Sequence, residues 1–204
     1  MNSATGTRRR RGRPSEGARE ALIAAARELF LAEDYDRVST AAILARSGVS
    51  RGALYHHFPS KLDLFRAVYE ESERRHLEAI GAELVGAATP FEGLLAGARA
   101  YLRRSETDEE LRKIGLLQSR AVLGWEEWRA TATELGIGVV LALVTAAVEA
   151  GEIAPHDPET LAIVLLGALI EAAVLIATAP AAERPLARKR SEAVIVDLLE
   201  GLRR

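Results

Sequence analysis

The sequence predicts an all-α fold in two parts, a small three-helix head followed by a larger helical bundle. Three observations carry that expectation. Ala and Leu dominate the apolar residues, and aromatic residues make up only 5% of the chain, a mix that favours helix over strand. Apolar side chains recur at three- and four-residue spacing through every long segment, as on one face of a helix. Helix-start signals punctuate these runs at Ser15, Ser39, Ser50, Ser60, Thr89 and Asp157, short polar residues that suit the N-cap.

Each element follows in order. Residues 1–14 hold too few apolar groups to fold alone and are expected to form a disordered basic arm. Ser15 opens the first helix, with Glu16 in its positive first turn and Leu22, Ala26, Leu29 and Phe30 on one face. Ser39 or Thr40 caps a second helix that ends at Ser47-Gly48, where glycine supplies the positive φ of a tight turn. Ser50 caps a short third helix that stops before Phe58-Pro59. Ser60 and Asp63 form a capping-box-like pair at the start of a long helix carrying Phe65, Val68, Tyr69, Leu77, Ile80 and Leu84.

In the second part, Thr89-Pro90-Phe91-Glu92 combines a cap, a proline at the first helical position and a closing glutamate. A shorter helix is expected from Asp108. Ile137, Val140, Leu141, Val144 and Val148 mark another, stopped by Gly151. Asp157-Pro158 starts a strongly apolar helix that Ala179-Pro180 ends, and a last helix spans about Glu183 to Leu202. The domains are therefore expected at 1–14 (arm), 15–66 (head) and 67–204 (bundle).

Charge divides along the same line. The net charge of −2 conceals twelve basic and seven acidic side chains up to Arg66, against fifteen basic and twenty-two acidic beyond it. A basic head on an acidic body suggests that only the head meets a polyanion. Cysteine is absent, which excludes disulfides, thiolate metal sites and Cys nucleophiles and is compatible with a cytoplasmic location. The Arg-rich start lacks the apolar core of a signal peptide. Leu161 to Ala179 approaches the length of a membrane span. Glu171 near its middle argues instead for the centre of a bundle or a dimer interface.

The informative block is VSTAAILARSGVSRGALYHHFPSKLDLF, from Val38 to Phe65. Val38, Ile43, Leu44, Val49, Leu54 and Phe58 are spaced to form a small core. Thr40, Ser50, Arg51, Gly52, Tyr55, His56 and Lys61 are left outside, as hydroxyl, cationic and small side chains that suit a phosphate-lined groove. The helix opening at Ser50 would enter the major groove N-terminus first, its dipole and free amides toward phosphate. Arg51 then stands as the base reader, because its fork matches guanine O6 and N7.

The run from Gly48 to Lys61, GVSRGALYHHFPSK, resembles the signature of the tetracycline-repressor (TetR) family, and the match extends over roughly Ala18 to Val68. The resemblance implies a three-helix DNA-binding head, a helical ligand-binding body and a homodimer on double-stranded operator DNA. It also implies that Thr40, Arg51, Gly52, Tyr55, His56 and Lys61 face DNA. Ala53 departs from a position that often carries a hydroxyl and can offer only a methyl, of a kind that suits thymine. Arg11, Gly12, Arg13 and Pro14 resemble an AT-hook core, which implies minor-groove contact by Arg11 and Arg13.

In the body, Trp125 and Trp128 are three apart; such a pair is more often core than pocket, and both stand as candidates for lining a ligand pocket. Tyr101, Gln118, Arg120 and Glu171 are polar candidates for binding a small effector, and Glu171 is equally suited to pair with Arg across a dimer interface. His56-His57 does not chelate as an i, i+4 pair does. Glu73 and His76 share the Glu-x-x-His spacing of di-iron bundles without the second copy such sites need, and are expected to be solvated or interfacial. No metal, cofactor or catalytic residue is expected: phosphate loops, metal triads and nucleophile elbows are all missing from the sequence. A ligand-responsive repressor leads an architectural DNA binder and, further behind, a helical-bundle enzyme.

Overall fold

The computed structural model describes residues 14–203. It divides into two compact units at Val68 and Tyr69, inside a helix and two residues beyond the expected limit at Arg66.

The first unit contains α1 (Pro14–Ala32), a 3-10 turn (Tyr35–Arg37), α2 (Thr40–Ser47), α3 (Arg51–His57) and the start of α4 (Lys61–Leu84). Helix α1 begins at Pro14, one residue before the cap expected at Ser15. A proline at the first position supplies a helical φ and withholds an amide that has no partner there. Leu22, Phe30, Ile43, Leu54, Phe58 and Phe65 are buried together. The rings of Phe30, Tyr35 and Phe65 lock this core, with Phe30 edge-on to Phe65 at 5.1 Å and stacked on Tyr35 at 5.7 Å.

The second unit begins within α4 and continues through α5 (Pro90–Thr107), a π-helical stretch (Leu111–Gln118), α6 (Ser119–Leu123), α7 (Trp125–Glu149), α8 (Pro158–Thr178) and α9 (Arg184–Glu200). Its core joins Phe91 and Leu102 of α5, Val144 of α7, Ile176 of α8 and Ile195 and Leu199 of α9. Among the described residues there is no strand; Ile153 and Arg203 make an isolated bridge, supported by the Ala154 amide on the Leu202 carbonyl at 2.8 Å.

Helix α8 is apolar for two reasons at once. One face, with Ala162, Leu166, Ile170, Ala173 and Ile176, is buried in the bundle, while Ile163, Val164 and Leu175 on another face are half exposed or more. Helix α7 starts at Trp125, three turns ahead of the first apolar marker read from sequence, because Gly124 at φ 79° breaks the chain just before it. The ordinary helix expected after Asp108 is widened. There the carbonyl of Gly115 accepts from Ser119 Oγ at 2.5 Å and from the indole of Trp128 at 3.0 Å. Side-chain donors of this kind satisfy carbonyls that regular α-helical pairing would otherwise serve.

Candidate nucleic-acid interface and apolar cavity

The first candidate site is α3. Ser39 and Ser50 cap α2 and α3 by accepting from the amides of Ala42 at 3.1 Å and Ala53 at 3.3 Å. Between the helices Gly48 adopts φ 68° and its amide donates to the Leu44 carbonyl at 3.0 Å. That left-handed residue ends α2 and turns the chain into α3. Leu54 and Phe58 hold α3 on the core, so Arg51, Gly52, Tyr55 and His56 share the opposite face and are all exposed. Ser50 is exposed ahead of them, and Thr40 and Ala53 are half-buried. The result is a short helix presenting its N-terminus, a guanidinium and a phenol on one solvent-facing stripe.

Lys61 is placed differently from its neighbours. Its ammonium donates to the carbonyls of Tyr35 at 2.9 Å and Val38 at 3.0 Å and sits 3.9 Å from the centre of the Tyr35 ring. It ties the start of α4 to the 3-10 turn. Arg11 and Arg13 lie outside the described residues.

The second candidate site is a partly open cavity of about 90 Å³ in the second unit, lined by residues of α4, α5, α7, α8 and α9. Its lining is apolar except for Glu73 and Tyr101. Of the residues expected to bind an effector, only Tyr101 lines it. Arg120 instead packs over Trp125 and Trp128, at 4.9 Å and 5.4 Å from their rings. Trp128 is core, and Trp125 is exposed. Gln118 is half-buried in the π-helical stretch, away from the lining, and Glu171 is exposed on α8, where a carboxylate needs no partner from the bundle.

Glu73 and His76 correct the sequence reading, because both are buried rather than solvated. The signal was present: Glu73 follows Tyr69 and precedes Leu77 by four residues, on the apolar face of α4. His76 is met by Ser72 Oγ and by Asp108 Oδ2, each at 3.4 Å, and burial holds its pKa below the usual value. Burial pushes the Glu73 carboxyl up to about 7. The phenols of Tyr69 and Tyr101 are raised too, first by burial and then by the Glu73 charge.

Comparison with known proteins agrees with both units. Residues 22–68 match the profile of bacterial regulatory proteins, tetR family, and residues 91–202 match the tetracyclin repressor-like C-terminal domain. The chain is 26% identical to the transposon Tn10 TetC protein of Escherichia coli over 76% of this chain and 78% of that one. It resembles the crystal structure of a TetR-family transcriptional regulator from Pectobacterium atrosepticum with a TM-score of 0.82 and 31% identity, covering 95% of this chain and 98% of the other. RolR in complex with resorcinol shares the fold at a TM-score of 0.70 and 20% identity, with 90% and 88% of the two chains covered.

Proposed function

From the premise that the chain belongs to the tetR family of bacterial regulatory proteins, and so is a DNA-binding transcriptional regulator, we propose that it is a cytoplasmic homodimeric repressor released from its operator by a compact, largely apolar ligand. The observation that carries the reading is the exposed stripe of α3, with Ser50 and Arg51 at its N-terminus. Placed in the major groove, Arg51 reads a base edge, and Thr40, Gly52, Tyr55 and His56 meet phosphate. Ala53 offers a methyl contact. Lys61 keeps one ammonium hydrogen for phosphate after its two carbonyl bonds. Arg11 and Arg13 extend the contact into the minor groove.

Dimerisation is supported by the uncovered apolar face of α8 and α9. Ile163, Val164 and Leu175 on the first, and Leu186, Val194 and Leu198 on the second, are each 49% exposed or more. Two such pairs make an intermolecular four-helix bundle. The cavity supports effector binding, and the resorcinol held by RolR is a ligand of comparable compactness. Helix α4 belongs to both units and is the element through which occupancy changes the spacing of the paired heads. The ligand must favour the geometry that does not fit DNA, since equal affinity shifts nothing. The test is selection of bound DNA from a random pool. A two-fold site with half-sites roughly 34–36 Å apart, or a multiple, is expected. A single asymmetric site, or DNA binding that no cavity ligand reverses, sinks the reading.

A further inference from the structure

The polar end of the cavity has a feature that effector binding in general does not require. Glu73 lines the cavity and is 8% exposed, its Oε1 has no hydrogen-bond partner, and no described residue is paired with it. The hydroxyl of Tyr69, one turn earlier, is also buried without a partner. Buried carboxylates are ordinarily paired or hydrogen-bonded, and one left bare asks for a partner. Room for it is created by Gly115, where a Cβ would stand 2.5 Å from Glu73 Oε1. No Lys, Arg or His contributes to the lining.

We propose that Glu73 is the anchor for a cationic group on a compact apolar ligand, so that this cavity accepts amines and rejects carboxylates. The inference rests on the reading above that the cavity takes the effector. A protonated amine supplies the missing donor and the missing charge together, in a low-dielectric site where both count most. A carboxylate would meet a like charge with no cation to offset it. A neutral alcohol gives a hydrogen bond without the charge.

Proton linkage sharpens the expectation. The groups that bear on Glu73 are the Tyr69 phenol on its own helix, the Tyr101 phenol from α5 and Gly115 from the π-helical stretch, and the cavity lining contributed by α7, α8 and α9 is uncharged. Below about pH 7 the carboxyl holds a proton that an incoming ammonium must displace to solvent. Amine affinity therefore falls about tenfold per pH unit below that value and levels off above it.

The experiment measures binding of 2-phenylethylamine, 2-phenylethanol and phenylacetate to the full chain by thermal shift and tryptophan fluorescence. Trp128 is a suitable reporter, because its indole donates to the carbonyl of Gly115 beside Glu73. The amine is expected to bind at least tenfold more tightly than the alcohol and the acid not at all. Glu73→Gln should erase the amine's advantage and leave the alcohol unchanged. The pH profile of the native protein gives an answer even if that variant fails to fold. Acid binding equal to amine, a flat amine profile from about pH 5.5 to 8, an unaltered preference in Glu73→Gln, or no binding by any probe overturns the proposal. Operator release is scored alongside. Release by the acid, or by the alcohol at concentrations as low as the amine needs, preserves the regulator reading while removing Glu73 as cation anchor; failure to bind any operator removes the regulator reading, whatever the probe preference.

Discussion

The guanidinium of Arg51 lies over the ring of Tyr55, 5.6 Å from its centre and one turn further along α3. Both side chains are exposed, so the ring serves as a platform that limits where the guanidinium fork can point. Arg51→Ala is expected to cost about 1–3 kcal/mol of operator affinity and to relax one base position. Tyr55→Phe keeps the platform and loses only the hydroxyl, so it should weaken all sequences alike. Binding-site selection with each variant separates the two, and an unchanged profile for Arg51→Ala would remove it as a reader.

Gly48 tests the turn that orients α3. A Cβ there meets nothing within 4 Å, so the strain of Gly48→Ala comes only from its φ of 68°. A loss of about 1–2 kcal/mol is expected on chemical denaturation, with weaker operator binding. Unchanged stability would mean that the turn tolerates a side chain in the left-handed region.

These local features were legible because their causes lie within a few residues. The caps at Ser39, Ser50, Ser60, Thr89 and Asp157 each accept from an amide three residues on, and Gly48 takes the φ its turn demands. The fates of Glu73 and Glu171 were harder to read. Glu73 sits on the apolar face of the otherwise polar α4, and Glu171 sits on the apolar α8; the first is buried because α5, α7 and the π-helical stretch cover that side of α4, whereas no described residue covers the outer face of α8. Which flank a neighbour covers is a long-range property that spacing along one helix does not hold. The widened turns at Leu111–Gln118 escaped for the same reason, since Trp128, a donor that supports them, comes from another helix.

The outer face of α8 and α9 gives the dimer test. Val164 and Val194 are 60% and 58% exposed, so a charge at either is cheap for the lone chain. Ala168 is less suitable, being packed partly on the core. Val164→Asp with Val194→Asp should sediment as a folded monomer with poor operator affinity. A surviving dimer would put the interface elsewhere.

The basic arm should supply salt-dependent affinity. Deleting residues 2–11 is expected to flatten the slope of log affinity against log salt by about 0.9 for each DNA phosphate that the arm no longer neutralises. An unchanged slope would make the arm a bystander in binding.

Glu73 should also set a pH dependence of stability. Burial raises its carboxyl from near 4.5 to about 7. The folded chain therefore holds this proton more tightly than the unfolded chain does. Its contribution to stability is fully present below about pH 4.5 and is lost as pH rises through about 7. The difference corresponds to about 3 kcal/mol. Glutamine cannot titrate, so Glu73→Gln escapes that loss, though it carries a fixed offset from placing an amide where the carboxyl stood. The informative quantity is thus the stability difference between variant and native protein, followed with pH. Carboxylates elsewhere and His76 titrate in both proteins and cancel to the extent that their surroundings are unchanged. Urea denaturation should show the difference moving in the variant's favour from about pH 5 to 7.5, then flattening. A constant difference would mean that Glu73 is paired or hydrated in the folded protein, and would also weaken the case for a bare carboxylate awaiting a cation.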